Sequence, residues 1–359
     1  MKSNNKNYHQ KILYIFFIIL SLNIFFFSTA KVEGKSFDID DIEISVPFQI
    51  NFNKNDVIDS GFRKAFKELL SRIVSSSDQK KIDQTKLNII KGMVESFSIR
   101  EEKFINEIYS VNLGVSFNKR KFFNFLENEN VFPSMPIKKK ILFIPIIIEE
   151  TKKDLLIFSS NKIYNQWNNF NKSYHLIEYI LPTEDLEDLR ILRNKYEFIE
   201  EYDFKEIISK YSLEDSIVAL IFKNDQGIRV LSRISINKNI ILKNKLFSDK
   251  DLRNDYHIED IIEKLKLVYE DNWKNYNLVN TSIKLPISIK ISSSNNPKIL
   301  NFEKILKEKH LVYDFTITKF DKDFVYYQII FNGTPNNFLK SMNIHNYNFN
   351  TQNKIWVLK

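Results

Sequence analysis

The 359-residue sequence predicts a protein of mixed α+β and α/β class, and three kinds of pattern predict it. The first is the run Ile141 to Ile148, apolar without a break between Lys138-Lys139-Lys140 and Glu149-Glu150. It is too short to span a bilayer and rich in β-branched residues, so it reads as a strand buried on both faces. Pro145 cannot donate to a ladder and calls for an edge or a bulge within that strand. The second is strict alternation of apolar residues, the mark of a strand with one buried face. The third is helical periodicity, clearest in Ile258, Ile261, Ile262, Leu265, Val268, Tyr269, Trp273 and Tyr276, which share one stripe.

Residues 1–11 carry Lys2, Lys6 and Lys11, Ile12 to Phe27 are almost wholly apolar, and Ser28-Thr29-Ala30 supplies small residues. That order predicts a signal peptide over residues 1–30, cleaved after Ala30. The alternative is an uncleaved anchor, since Ile12 to Ala30 holds no charge and is long enough to cross a membrane.

A small α+β domain is expected over 42–132. Ile42, Ile44, Val46, Phe48, Ile50 and Phe52 alternate as a strand, with Pro47 hinting at an edge. Asn55 or Asp56 then caps a helix whose Ile58, Phe62, Ala65, Phe66, Leu69 and Ile73 form its apolar stripe. A second helix is expected near Gln84 to Ser96. A short strand follows around Phe97 to Phe104, and a long one through Tyr109, Val111, Leu113, Val115 and Phe117. Asn118 caps a short helix bearing Phe122, Phe123 and Leu126.

A mixed-sheet α/β domain is expected over 140–280, with strands at the central run, His175 to Ile180, Ile217 to Phe222, Ile228 to Ile236 and Asn239 to Leu246. Asn224-Asp225-Gln226-Gly227 marks a hairpin turn. Strands alternating with helices favour an α/β layer, and the late hairpins favour a mixed sheet. The last domain, 284–359, reads β-α-β-β-α-β: Leu285 to Ile291, a helix with Phe302, Ile305 and Leu306, strands Leu311 to Ile317 and Val325 to Phe331, a helix with Phe338, Leu339 and Met342, and Ile355 to Leu358. This is the split βαβ or ferredoxin-like plan.

Composition bounds the chemistry. With 43% hydrophobic residues there is ample material for packed cores. The net charge of +8 falls to +5 once the three lysines ahead of the apolar leader are set aside. Basic residues are interspersed with acids, which describes a solvated surface and no nucleic-acid partner. Cysteine is absent, which excludes disulfides, thiolate metal sites, a cysteine nucleophile and a lipidated N-terminal cysteine. The six glycines, Gly34, Gly61, Gly92, Gly114, Gly227 and Gly333, are too far apart for a phosphate-cradling loop or a nucleophile elbow.

No catalytic, cofactor-binding or metal-binding residue is assigned. His9, His175, His257, His310 and His345 are scattered, with no pair at zinc-motif spacing. Acids are densest from Glu184 to Asp215, but the calcium-loop spacing is missing and Leu186, Leu189, Ile191 and Leu192 fit ordinary amphipathic helices. Trp167, Trp273 and Trp356 fall at in-register core positions rather than in a groove. The Asn-rich loops Tyr164 to Asn171 and Ser292 to Asn296 are the better candidates for exposed recognition surfaces.

The segment Gly61-Phe62-Arg63-Lys64-Ala65-Phe66-Lys67-Glu68-Leu69-Leu70-Ser71-Arg72-Ile73, then Leu113-Gly114-Val115-Ser116-Phe117-Asn118 and the Ile141 to Ile148 run, resembles the bacterial family known as domain of unknown function 2066. The resemblance covers about Ile42 to Asn237. It departs at Asn118, where the family commonly has Asp, and at Met135-Pro136-Ile137-Lys138, where an Arg-Pro pair usually precedes the apolar strand. It implies an exported envelope protein of a Gram-negative bacterium and carries no catalytic activity.

Three functions from different classes are consistent with these patterns. One is a periplasmic, non-enzymatic scaffold or binding protein whose partner is a protein or another envelope component. Another is an envelope hydrolase with a dispersed acid and histidine site, and the third is a membrane-tethered factor held by an uncleaved leader. An uncovered sheet edge able to accept a partner strand would favour the first.

Overall fold

A computed structural model describes residues 37–169, 175–224 and 227–359. Residues 1–36, which include His9, Gly34 and the expected signal peptide with its expected cleavage after Ala30, lie outside the described residues, as do Asp225-Gln226 and residues 170–174. The described residues carry three sheets and ten α-helices, the mixed class that the alternating patterns predict. None of those helices is long and apolar enough to cross a membrane.

The first sheet comprises β1 (Asp38–Pro47), β2 (Val94–Ile105) and β3 (Ile108–Phe117), antiparallel in the order β1-β3-β2. Between β1 and β2 run α1 (Lys54–Ile73), α2 (Ser76–Ile82) and α3 (Leu87–Met93), and α4 (Lys119–Asn128) follows β3. Phe62, Ala65, Phe66, Leu69 and Ile73 of α1 bury against Val111, Leu113 and Val115 of β3. Gly61 permits that approach, because a Cβ there would lie 2.3 Å from Leu113 Cδ1. Asn118 caps α4 by accepting from Lys121 N at 3.0 Å, as its position predicts.

Three expectations in this region change. The first strand stops at Pro47, because proline has no N–H for the ladder; Phe48 turns to bond Glu107 O, and Ile50 is fully exposed. The cap of α1 is Asn53, whose side chain accepts from Asn55 N, and the expected caps Asn55 and Asp56 lie inside the first turn. The helix expected over 84–96 ends at Met93, since Val94 already pairs with Phe117 as the start of a twelve-residue strand.

The second sheet is built on β4 (Lys139–Glu149). Beside it lie β5 (Asp154–Leu156), β6 (Ile177–Ile180), β7 (Ser216–Asn224), β8 (Gly227–Ile236) and β9 (Asn239–Ser248). The order is β5-β4-β7-β8-β9, with β6 also against β4; β6 and β7 run parallel to β4, and the other pairs are antiparallel. The connecting helices are α5 (Lys162–Gln166), α6 (Leu186–Asn194) and α7 (Lys205–Ser209), and α8 (Asp255–Tyr276) follows β9. Strand β4 is buried on both faces, as its unbroken apolar run predicts. Ile141, Phe143 and Ile147 pack toward Ile258, Ile262 and Leu265 of α8, whereas Leu142, Ile144, Ile146 and Ile148 pack toward Leu192 of α6 and Ile207 of α7.

Pro145 sits where β4 loses its neighbour on one side. There β6 pairs only with Lys139–Leu142 and β5 only with Ile147–Glu149. Asn161 fills the gap: its Nδ2 donates to Pro145 O at 3.0 Å and to Leu156 O at 3.3 Å, while its Oδ1 accepts from Ile163 N and Tyr164 N as the cap of α5. The N and O of one strand residue point to the same side, so the missing proline donor falls where no strand asks for it.

The third sheet contains β10 (Leu285–Ser292), β11 (Val312–Phe320), β12 (Phe324–Phe331), β13 (Phe349–Asn350) and β14 (Trp356–Leu358), in the order β11-β12-β10-β14-β13. Helices α9 (Asn296–Glu308) and α10 (Pro335–Asn343) complete the β-α-β-β-α succession. Strands β10 and β11 are both antiparallel to β12 and flank it, which is the split βαβ arrangement. The last strand departs from that plan. It is the return leg of a hairpin with β13 and so enters beside β10 in parallel.

Candidate functional site

The acid-rich stretch from Glu184 to Asp215 resolves mostly into caps and ion pairs. Asp185 caps α6, and Lys210 Nζ lies 2.7 Å from both Asp185 Oδ2 and Asp188 Oδ1. Asp215, buried, accepts from Asn237 N at 2.8 Å and pairs with Lys139. Arg229 bonds Glu200 at 2.6 Å. Among the described residues no group of three or more His, Asp and Glu is arranged to hold a metal.

Of the described histidines, His257 accepts from Asp251 N at 3.0 Å and His310 lines a small cavity shared with Phe37, Pro133, Pro136 and Thr281. That cavity holds about 10 Å3, scarcely room for one water. His345 lies just past α10. His175 is different, because it stands beside a buried charged ladder that the sequence reading did not single out.

Lys266, Glu270 and Lys274 lie one turn apart on α8 and are all buried. Glu270 Oε2 accepts from Leu176 N at 3.1 Å and its Oε1 from Ile177 N at 2.9 Å, which fixes the start of β6. Lys274 Nζ donates to Val74 O at 3.2 Å, and neighbouring Asp271 accepts from Ser76 N and Oγ, so the same helix holds the end of α1. Lys266 Nζ stands 5.5 Å from the centroid of Trp167 and 5.8 Å from that of Tyr179. Burial lowers the Lys266 ammonium to about 8, against the raising influence of Glu270. Both Glu270 oxygens are engaged by backbone, which makes the ladder a brace between elements. Its signal in the sequence was a charge directly after Leu265, Tyr269 and Trp273, at the border of the apolar stripe.

His175 Nδ1 lies 3.7 Å from Glu270 Oε1. Burial first, then the positive fields of Lys266 and Lys274, lowers its pKa to about 4. An unfolded histidine titrates near ~6.5, so between the two values the unfolded chain holds a proton that the folded chain lacks. Stability from this group is therefore present above the unfolded value and is lost as pH falls toward 4. Urea titrations across this window should show the native chain losing on the order of 2–3 kcal/mol more than His175→Gln. Parallel pH curves for the two proteins would contradict the assignment.

The aromatic candidates are core. Trp167 stacks on Phe143 with centroids 3.8 Å apart, Trp273 Nε1 donates to Ile137 O at 2.7 Å, and Trp356 packs with Phe338 and Phe349. Of the expected recognition loops, Asn295 serves as the cap of α9, while Tyr164 to Gln166 belong to α5 rather than to a loop and residues 170 and 171 lie outside the described residues.

The feature best suited to recognition is a sheet edge. Sheet edges expose unpaired backbone groups, and proteins blunt them with bulges, prolines, short strands or charged side chains, lysine above all. Here β1 has a register shift between Ile39 and Ile42 and ends at Pro47; β2 shifts at Val94/Ser96 and Ile99/Glu101; β11 shifts at Val312/Asp314 and Ile317/Lys319. Strands β5, β6 and β13 are only three, four and two residues long.

Strand β9 is long and has no bulge or proline, and its lysines Lys243 and Lys245 are the one device of this kind that it carries. It pairs with β8 in unbroken register from Gly227↔Ser248 to Ile236↔Asn239, and among the described residues nothing pairs with its outer side. Register with β8 puts Ile240, Leu242, Asn244 and Leu246 on one face and Ile241, Lys243, Lys245 and Phe247 on the other. The helical layer on the first face ends at β8, where Arg233 donates to Tyr202 O and Glu200 O, and it leaves Ile240, Leu242 and Leu246 65%, 60% and 68% exposed. On the second face α8 covers Phe247 but not Lys243. The sequence placed this strand without marking it as an edge. The signal was Ile240-Ile241-Leu242, apolar on both faces of a strand that also carries two lysines.

No protein-family model matches the chain, and no curated protein matches it.

Proposed function

We infer that the chain is an exported cell-envelope protein that acts without catalysis, by binding another protein through the outer edge of β9. The regular ten-residue edge, with its exposed Ile240, Leu242 and Leu246, carries this reading. Main-chain hydrogen bonds to an added strand supply affinity, and the side chains on the two faces supply selectivity. The leader-like order of residues 1–30 and the resemblance to the family of domain of unknown function 2066 support an exported, periplasmic address.

A photo-crosslinking residue placed at exposed Asn244 in the native host should give a discrete protein adduct. The same residue at exposed Lys205 should not, and Leu242→Lys should remove the Asn244 adduct. Matching adduct patterns at the two positions would overturn the reading. Fractionation and intact mass test the address; a cytoplasmic protein beginning at Met1 would refute it.

A further inference from the structure

We propose that the occupant of the β9 edge is an extended segment of another protein in which apolar and acidic residues alternate. This rests on the strand-binding reading above and specifies the chemistry of the partner. An added strand places its side chains beside those of β9, face for face. On one face it meets Ile240, Leu242 and Leu246, which only apolar side chains cover without stranding a polar group. On the other it meets Lys243 and Lys245, neither of which makes an ion pair among the described residues. Burial, then the neighbouring charge of Lys264, disfavours the ammonium of Lys245 by more than Asp260 and Asp271 of α8 favour it, and its Nζ stands 5.6 Å from the Phe247 centroid; a carboxylate delivered by the partner would add to that support. Lys238, in the turn that enters β9, extends the positive character toward one end.

The same lysines argue against a second copy as occupant. In antiparallel self-pairing, residues that oppose one another share a face, so odd positions meet odd positions. The two registers with nearly full overlap bring Lys243 opposite Lys243, or Lys243 opposite Lys245 on both sides. Like charges directly opposite destabilise a strand pair, whereas opposite charges stabilise it. The edge is thus disfavoured toward itself and complementary to an acidic strand.

The test uses the full chain and three blocked, fluorescently labelled octapeptides that alternate valine with glutamate, serine or lysine. Anisotropy titrations should show the glutamate peptide binding about five- to tenfold more tightly than the serine peptide, with the lysine peptide weakest and the preference shrinking as salt rises. Lys243→Glu with Lys245→Glu, both at the protein edge and checked for native circular dichroism, should reverse the order of the glutamate and lysine peptides. Equal binding of the glutamate and serine peptides would overturn the acidic class while leaving strand binding in place. Binding of no peptide, with the Asn244 adduct still formed, would overturn this partner class alone; loss of both would remove the edge reading as well. Sedimentation showing a dimer that Lys243→Glu alters would assign the edge to a second copy and overturn the proposal.

Discussion

Asn161→Ala is expected to lower the unfolding free energy by on the order of 3–4 kcal/mol, an unusually large effect for one polar side chain. The residue is completely buried and uses both ends of its carboxamide. Loss of Oδ1 removes the cap of α5, which alone costs about 1 kcal/mol. Loss of Nδ2 leaves Pro145 O and Leu156 O without their side-chain donor, and each such buried acceptor costs about 1–3 kcal/mol. Asn161→Asp separates the two contributions. It keeps the acceptor for Ile163 N and Tyr164 N but turns a carboxylate toward two carbonyl oxygens, so it should rescue little. Asn254→Ala, at a cap of α8 whose acceptor serves only Tyr256 N, should cost only about 1 kcal/mol. Urea unfolding monitored by tryptophan fluorescence checks the series, and equal losses for Asn161→Ala and Asn254→Ala would show that the gap beside Pro145 needs no plug.

Pro145 also shows how much the sequence could say. Its own chemistry announced a local edge inside an otherwise central strand, but which neighbour was missing depended on the reach of β5 and β6, set by contacts distant along the chain. Alternation located most strands because burial of one face leaves a period of two in the residues themselves. It overran at Phe48 and Ile50, where apolar residues continue the rhythm after Pro47 has ended the pairing. The hairpin between β8 and β9 had no glycine to mark it, since Asn237 and Lys238 themselves take up φ of 47° and 68°. The closing strand near Trp356 was legible as a strand but not its direction, which hangs on the brief β13 hairpin. The candidate site was the least legible part. Whether Ile240, Leu242 and Leu246 face a helix or water depends on where the helical layer stops, and no local pattern encodes that.

Glu270→Met should be the most damaging change in the second sheet's core, with an expected loss of about 3–5 kcal/mol. Methionine matches the volume but strands the N–H groups of Leu176 and Ile177 and removes the larger of the two carboxylate influences on buried Lys274, leaving only that of Asp271. Burial raises the Glu270 carboxyl and lowers the Lys274 ammonium, so for both groups desolvation outweighs attraction. The carboxylate therefore earns its place chiefly as an acceptor for backbone. Glu270→Gln, which keeps one acceptor oxygen, should cost about 1–2 kcal/mol. The combination Glu270→Met with Lys274→Met should recover part of the loss by removing the stranded ammonium, with a coupling of about 1 kcal/mol, but not the part owed to β6. Urea unfolding of the native chain, Glu270→Met, Glu270→Gln, Lys274→Met and the double variant decides the matter. Full recovery in the double variant would mean that the charge pair, not the hold on Leu176 and Ile177, is what Glu270 supplies, and the start of β6 would then need another anchor.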